Sequence, residues 1–328
     1  MKERTHYLDV AKGILILLLV MSHFSIALKW ANINAGNPYF TAWYYPQPLF
    51  QVFFMQCFFI VSGLCSNFDV APIVYIKKLG KQLLIPWLFF ELVRVAYFAS
   101  QGQFVRVFPG NEYTSLWFLN ALFFAKIICW LIHRFFKSII TMLTVTLVLL
   151  AFGVFLNEFS FGQNILYYRQ GLIGSFFVAS GYFLKKHQKT YDALLKYSIF
   201  IFTAIVSLRF LHICNLPIQD ANIGVQLSTT PLFLLTSLTG SFAFLWLCRI
   251  FNCNKFFEYF GRNSLIIYGL HMWPYVIIIG ITSHLIGFSS QWQALIFIFT
   301  SYICEVAIMS IVIEILNTRY LRFLIGKF

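Results

Sequence analysis

The chain has 328 residues, of which 60% are hydrophobic, 11% charged and 40 are Phe, a profile that excludes an ordinary soluble domain. A bilayer core of roughly 30 Å needs about 20 apolar residues per helix, so the sequence predicts an all-α integral membrane bundle of about ten transmembrane helices. The formal net charge of +13 would point to nucleic acid in a soluble protein; here it is first tested against the positive-inside rule.

In chain order, apolar segments are expected at about 10–28, 47–66, 82–99, 114–133, 138–156, 165–184, 192–213, 228–250, 263–282 and 291–316. Lys2 and Arg4 precede the first, which runs into Lys29 and Trp30 without a small-residue cleavage pattern, so it reads as a retained helix and not a signal peptide. With the N-terminus in the cytoplasm, sixteen basic residues fall on that side: Lys2, Arg4, Lys77, Lys78, Lys81, Arg134, Lys137, Lys185, Lys186, Lys189, Arg249, Lys255, Arg262, Arg319, Arg322 and Lys327. The opposite loops hold only Lys29 and Arg106. One helix too many or too few would scramble that alternation, which places both termini in the cytoplasm. No repeat, low-complexity tract or linker interrupts the chain, so 1–328 reads as one membrane-embedded domain with no separate soluble part.

The seven cysteines form no CxxC pair and read as packing residues; no metal site is expected. The outer loop KWANINAGNPYFTAWYYPQP (29–48) mixes Trp30, Tyr39, Trp43, Tyr44 and Tyr45 with Asn32, Asn34 and Asn37. Rings and amides together suit a sugar, but the plainer and favoured reading is an interfacial aromatic belt. Glu91 and Arg94, three apart on one span, suit an internal ion pair. Glu305 and Glu314 on the last span, with Arg169 and Arg209 near outer ends, have no partner that the sequence identifies.

Two ionisable residues mark the first span. Lys12 and His23 are eleven residues apart, about three helical turns, which puts them on one stripe roughly 16 Å apart. Asp9 lies three residues before Lys12 on the same face. Ionisable side chains inside a membrane face a bundle interior or a wet cavity, and a buried neutral imidazole accepts a proton, so His23 is a candidate general base. The plainer reading is a histidine satisfied by Ser22 or Ser25.

The segment HYLDVAKGILILLLVMSHF (6–24) resembles the first helix of the acyltransferase 3 family of polytopic membrane acyltransferases, whose motif is Arg or Lys, ten residues, then His; LD-x-x-KGI is similar to the fucose 4-O-acetylase-like branch. FFMQCFFIVSGLCSNF (53–68), KKLGKQLLIPW (77–87), SLWFLNALFF (115–124), GRNSLIIYGLHMWP (261–274) and RFLIGKF (322–328) follow in the family's order. One departure stands out: where the family carries Arg-x-x-Arg before Leu-Leu-Ile-Pro, this chain has Leu79 and Gln82. Lys78 and Lys81 keep the spacing one position earlier, without the planar fork by which Arg grips phosphate.

The resemblance implies transfer of an acetyl group from cytoplasmic acetyl-CoA, a co-substrate and not a bound cofactor, to a hydroxyl of a sugar, polysaccharide precursor or glycolipid at the inner cell membrane. His23 would deprotonate the acceptor hydroxyl. Lys12 would serve the donor end or orient the first helix with Asp9, and Lys78 and Lys81 would hold the donor's phosphates. Trp117, Asn120 and His271 are further expected binding residues, with Asn120, Ser62 or a backbone N–H as oxyanion donors; Trp273 and Pro274 predict an irregular helix beside His271. The competing expectation is a transporter that uses the buried ionisable residues as a pathway, although no matched pair of Gly/Pro-broken helices supports it.

Overall fold

The structure, a computed structural model, describes residues 6–100, 102, 116–160, 164–210, 226–250, 254–286 and 289–327. Lys2, Arg4, Arg106, Cys214, Cys253, Ser115 and the side chain of Arg209 lie outside the described residues. Helix dominates and no strand occurs among the described residues. Contacts divide the chain into two compact units, 1–51 with 251–323 and 52–250 with 324–328.

The first unit holds α1 (His6–Ser22), α2 (Phe24–Trp30), α3 (Thr41–Tyr44) and α4 (Gln47–Gln51). The second holds α5 (Phe54–Leu64), α6 (Pro72–Leu79), a π-helical turn at Gly80–Leu84, α7 (Ile85–Ser100), α8 (Trp117–Phe136), α9 (Ile139–Glu158), α10 (Tyr168–Lys186), α11 (Gln188–Phe210) and α12 (Thr230–Ile250). The first unit resumes with α13 (Lys255–Arg262), α14 (Ser264–Leu270), α15 (Met272–Leu285) and α16 (Gln291–Leu316).

Each of the ten expected segments contains helix. Among the described residues, seven helical stretches are long and apolar enough to cross a bilayer, and two bent pairs, α1 with α2 and α14 with α15, qualify as one span each. The remaining segment, α10, falls outside that set; Arg169, Gln170, Lys185 and Lys186 lower its hydropathy. Ile140, Val148, Phe200 and Ile303 are exposed on their helices, as expected of surfaces solvated by lipid tails.

Both bends fall on histidines. At His271 the turn is 59°, and Pro274, three residues on, cannot donate to the carbonyl of Leu270 and crowds it. At His23 the turn is 40° with no Pro or Gly present. The backbone there has φ −83° and ψ 0°, the sparsely populated region where many active-site residues sit. The His23 amide is shared between the carbonyls of Leu19 at 3.1 Å and Val20 at 3.2 Å. The helix that carries Lys12 thus runs to Ser22 and turns at His23.

Close helix crossings set each unit. In the first, Gly13 of α1 and Gly261 of α13 face one another's backbones, and a methyl on either would run into Phe257 or Asp9 carbonyl oxygen. In the second, Gly63 of α5 meets Val178 and Gly181 of α10 meets Ile60 in the same manner. Small residues allow this approach, which is how packed helices associate where lipid removes the hydrophobic drive.

Candidate active site

In the first unit, the crossing of α1 and α13 assembles an ionic chain. Lys12 Nζ lies 2.6 Å from Asp9 Oδ1, and Arg262 Nε lies 3.6 Å from Asp9 Oδ2. Arg262 Nη2 also donates to Glu258 Oε2 at 2.8 Å, and His6 Nδ1 lies 3.0 Å from Glu258 Oε1. Asp9 and Glu258 are buried, so each carboxylate needs the cations around it. The Asp9–Lys12 pairing was expected from spacing; Arg262 and Glu258 were not. Asn254 caps α13, its Oδ1 accepting from the amides of Phe256 at 3.0 Å and Phe257 at 3.3 Å, which fixes the turn that carries Glu258.

Further along α1, at the break, His23 has neither expected serine partner. Ser22 Oγ donates instead to the Leu19 carbonyl at 2.8 Å. His23 Nδ1 lies 2.7 Å from His271 Nε2, and His271 Nδ1 lies 2.8 Å from the Ile267 carbonyl oxygen. The two imidazole planes differ by 17° and their centroids are 5.0 Å apart. Nearly coplanar rings at that separation meet edge to edge along the N···N line. His271 has no exposed surface, whereas His23 is half-buried, so the pair is open at the His23 end alone.

Around the pair, Phe24 touches Phe40 (5.6 Å between centroids), Trp43 (6.0 Å), Tyr275 (6.2 Å) and Phe297 (6.0 Å). Tyr302, one turn from Glu305, packs on Trp43 at 6.4 Å and donates from its hydroxyl to the Leu17 carbonyl at 3.1 Å. Among the described residues of this unit, the buried side-chain polar atoms with no hydrogen-bond partner are Trp43 Nε1, Gln47 Nε2, the Tyr275 hydroxyl and both carboxyl oxygens of Glu305. Trp43 and Tyr275 join through ring contacts with Phe24, and Glu305 is within electrostatic reach of Tyr275. Glu314, without an identified partner in the sequence, accepts from the Tyr259 hydroxyl at 2.7 Å.

The second unit carries the remaining expected site residues. Lys78 lies in the last turn of α6 and Lys81 in the π-helical turn, both exposed, while Leu79, at the family's first arginine position, is buried and Gln82 is exposed. Lys126, midway along α8, has Lys78 and Lys185 within electrostatic reach, and the Lys185 ammonium donates to the Ser66 carbonyl. The sequence does not bring Lys126 and Lys185 together, because their convergence depends on the packing of α8 against α10. Trp117 and Asn120 are buried on α8, and Asn120 Oδ1 has no partner. Ser62 is partly exposed on α5. The expected ion pair is present: Arg94 Nε donates to Glu91 Oε2 at 2.8 Å and its Nη2 lies 2.7 Å away, both residues buried on α7.

A family model described as an acyltransferase domain matches residues 5–311. The chain belongs to the acyltransferase 3 family. It is accordingly a multi-pass membrane acyltransferase. No match was found among curated proteins or solved structures.

Proposed function

We propose that this acyltransferase 3 protein transfers an acetyl group from cytoplasmic acetyl-CoA to a hydroxyl of a sugar, polysaccharide precursor or glycolipid at the inner cell membrane, with His23 as general base. The observation that carries this reading is the His23–His271 contact of 2.7 Å at the break of the first span. It gives an imidazole that is anchored on one edge and accessible on the other, on the motif residue of an acyltransferase family.

In this scheme the acceptor oxygen bonds to the thioester carbonyl carbon while the C–S bond breaks. The proton passes from the hydroxyl to His23 and then to the leaving thiolate, so no further reagent is needed. Lys12, paired with Asp9 and close to Arg262 through that carboxylate, orients the start of α1 and serves the donor end. The exposed Lys78 and Lys81, with Lys126 and Lys185, are assigned to the donor's phosphates as point charges; Trp117 and Asn120 are assigned to donor binding, and Asn120 or Ser62 to the oxyanion by residue type. The acceptor side is supported by the unpartnered atoms of Trp43, Gln47, Tyr275 and Glu305. They comprise N–H donors, a hydroxyl and a carboxylate, a mixture that hydroxyl groups can satisfy and an acyl chain cannot.

The test uses purified protein in lipid nanodiscs with radiolabelled acetyl-CoA, following thioester loss and label transfer to surface glycan extracts. Wild type consumes the thioester and labels the glycan, and His23→Ala does neither. Turnover near the wild-type level in that variant would sink the assignment.

A further inference from the structure

We infer that His271 is a positioning residue that holds His23 in one tautomer, with its proton on Nδ1 and its lone pair on Nε2. The inference rests on the reading of His23 as the base. It begins at the Ile267 carbonyl, which can only accept. The imidazole nitrogen 2.8 Å from it, His271 Nδ1, therefore carries a hydrogen. In a neutral ring the other nitrogen is then a bare acceptor. His271 Nε2 is 2.7 Å from His23 Nδ1, so His23 must be the donor in that contact. Its own remaining nitrogen, Nε2, is left with a free lone pair.

The alternative is a doubly protonated His271, which would donate at both nitrogens and force His23 to accept at Nδ1, leaving an N–H where the base is needed. His271 has no exposed surface, and its hydrogen-bond partners are a carbonyl and an imidazole. A buried cation without a carboxylate partner is costly, so the neutral chain of donors holds. Each link is fixed by the one before it: Ile267 sets His271, and His271 sets His23. His271 sits at the 59° bend between α14 and α15, with its Nδ1 reaching back one turn to Ile267.

When the acceptor proton arrives at His23 Nε2, the ring becomes a cation with N–H at both positions. The Nδ1 hydrogen bond to His271 then becomes charge-assisted and stronger. His271 thus favours the proton-transfer state over the resting state without touching the substrate, and it occupies the place of the acid in a hydrolase triad.

Two measurements test this. Nitrogen-15 solid-state NMR of histidine-labelled protein in bilayers, with His23→Ala and His271→Gln difference spectra for assignment, is expected to show both rings neutral and protonated at Nδ1. A His23 ring protonated at Nε2, or a cationic His271, overturns the inference. In kinetics, His271→Leu removes the acceptor at similar bulk, and His271→Gln restores a carbonyl oxygen toward His23 with an N–H₂ group beside it. Loss of kcat by at least about 100-fold in the Leu variant, with KM for acetyl-CoA within about threefold and at least about tenfold recovery in the Gln variant, is expected for a tautomer-setting group. Equal loss in both variants marks a packing residue and overturns it, as does wild-type kcat in the Leu variant. Should the Leu variant fail to fold, the wild-type spectrum decides alone. Full activity in His23→Ala sinks the base assignment and leaves the spectroscopic result standing, so the two failures are distinguishable.

Discussion

Two histidines in this protein, one buried and one half-buried, each make a short side-chain contact, and they serve different ends. His133, near the end of α8, contacts Asp69 Oδ1 through Nε2 at 2.9 Å, a pairing that on paper looks more like a hydrolase dyad than two imidazoles do. Yet Asp69 is 61% exposed at its side chain, and the His133 ring is packed by Phe68 and Tyr182, with its Nδ1 buried and unpartnered. That arrangement ties the end of α8 to the turn before α6. His23 inverts it: the anchoring partner is fully buried and the free nitrogen lies on the more accessible ring. The lesson is that a neighbouring carboxylate does not by itself make a base; what matters is which nitrogen is left and whether substrate can reach it.

The largest expected effect that would sharpen this contrast is on His23. His23→Ala should lower kcat by ~10²- to 10⁴-fold, the range for a general base, with the unfolding midpoint in detergent falling by only a few degrees, the cost of leaving the buried His271 without its partner. His133→Ala should cost a similar amount of stability, about 1–3 kcal/mol, through the lost hydrogen bond and ring packing, without the catalytic loss. Its kcat is expected within about threefold of wild type, and a larger loss would erase the distinction between the two histidines.

A smaller effect is expected at Glu305. Glu305→Gln keeps volume and one carbonyl oxygen, so KM for the acceptor should rise about tenfold, or roughly 1.4 kcal/mol, while KM for acetyl-CoA moves little. Unchanged acceptor KM would remove Glu305 from the acceptor side.

The smallest effect concerns pH. The Asp69 carboxyl is held below its ordinary range, first by the hydrogen bond from His133, against slight burial, and further by the charges of His133, Lys186 and Lys137. A carboxyl depressed on folding stabilises the protein above its unfolded pKa of about 3.9, and that contribution is lost as pH falls through the lower folded value. Unfolding midpoints measured across the acid range should therefore drop less steeply in Asp69→Asn than in wild type. Parallel curves would show that the pair carries no linkage.

Much of the architecture was legible because it depends on short spacings. Length of apolar runs located helix in all ten expected segments, and the i, i+3 rule located both Asp9–Lys12 and Glu91–Arg94. Pro274 foretold a bend at the last histidine of its segment. The bend at His23 had no such marker, since it comes from a bridge-region backbone and not from Pro or Gly. Residues 79 and 82 showed a departure from the family pattern, but only the burial of Leu79 shows that the first of them is committed to the core.

What the sequence by itself determined is a membrane acyltransferase with a marked first helix, because composition, local period and motif order are all written along the chain. The partner of His23 was decided by tertiary structure alone. His271 lies 248 residues away, and the same is true of Arg262 and Glu258 beside Asp9, which meet α1 only where Gly13 and Gly261 let two backbones touch. A contact of that kind has no period in the sequence. It exists because bent helices and small residues bring distant groups together, and with it comes the hydrogen-bond chain that leaves the lone pair on His23 Nε2.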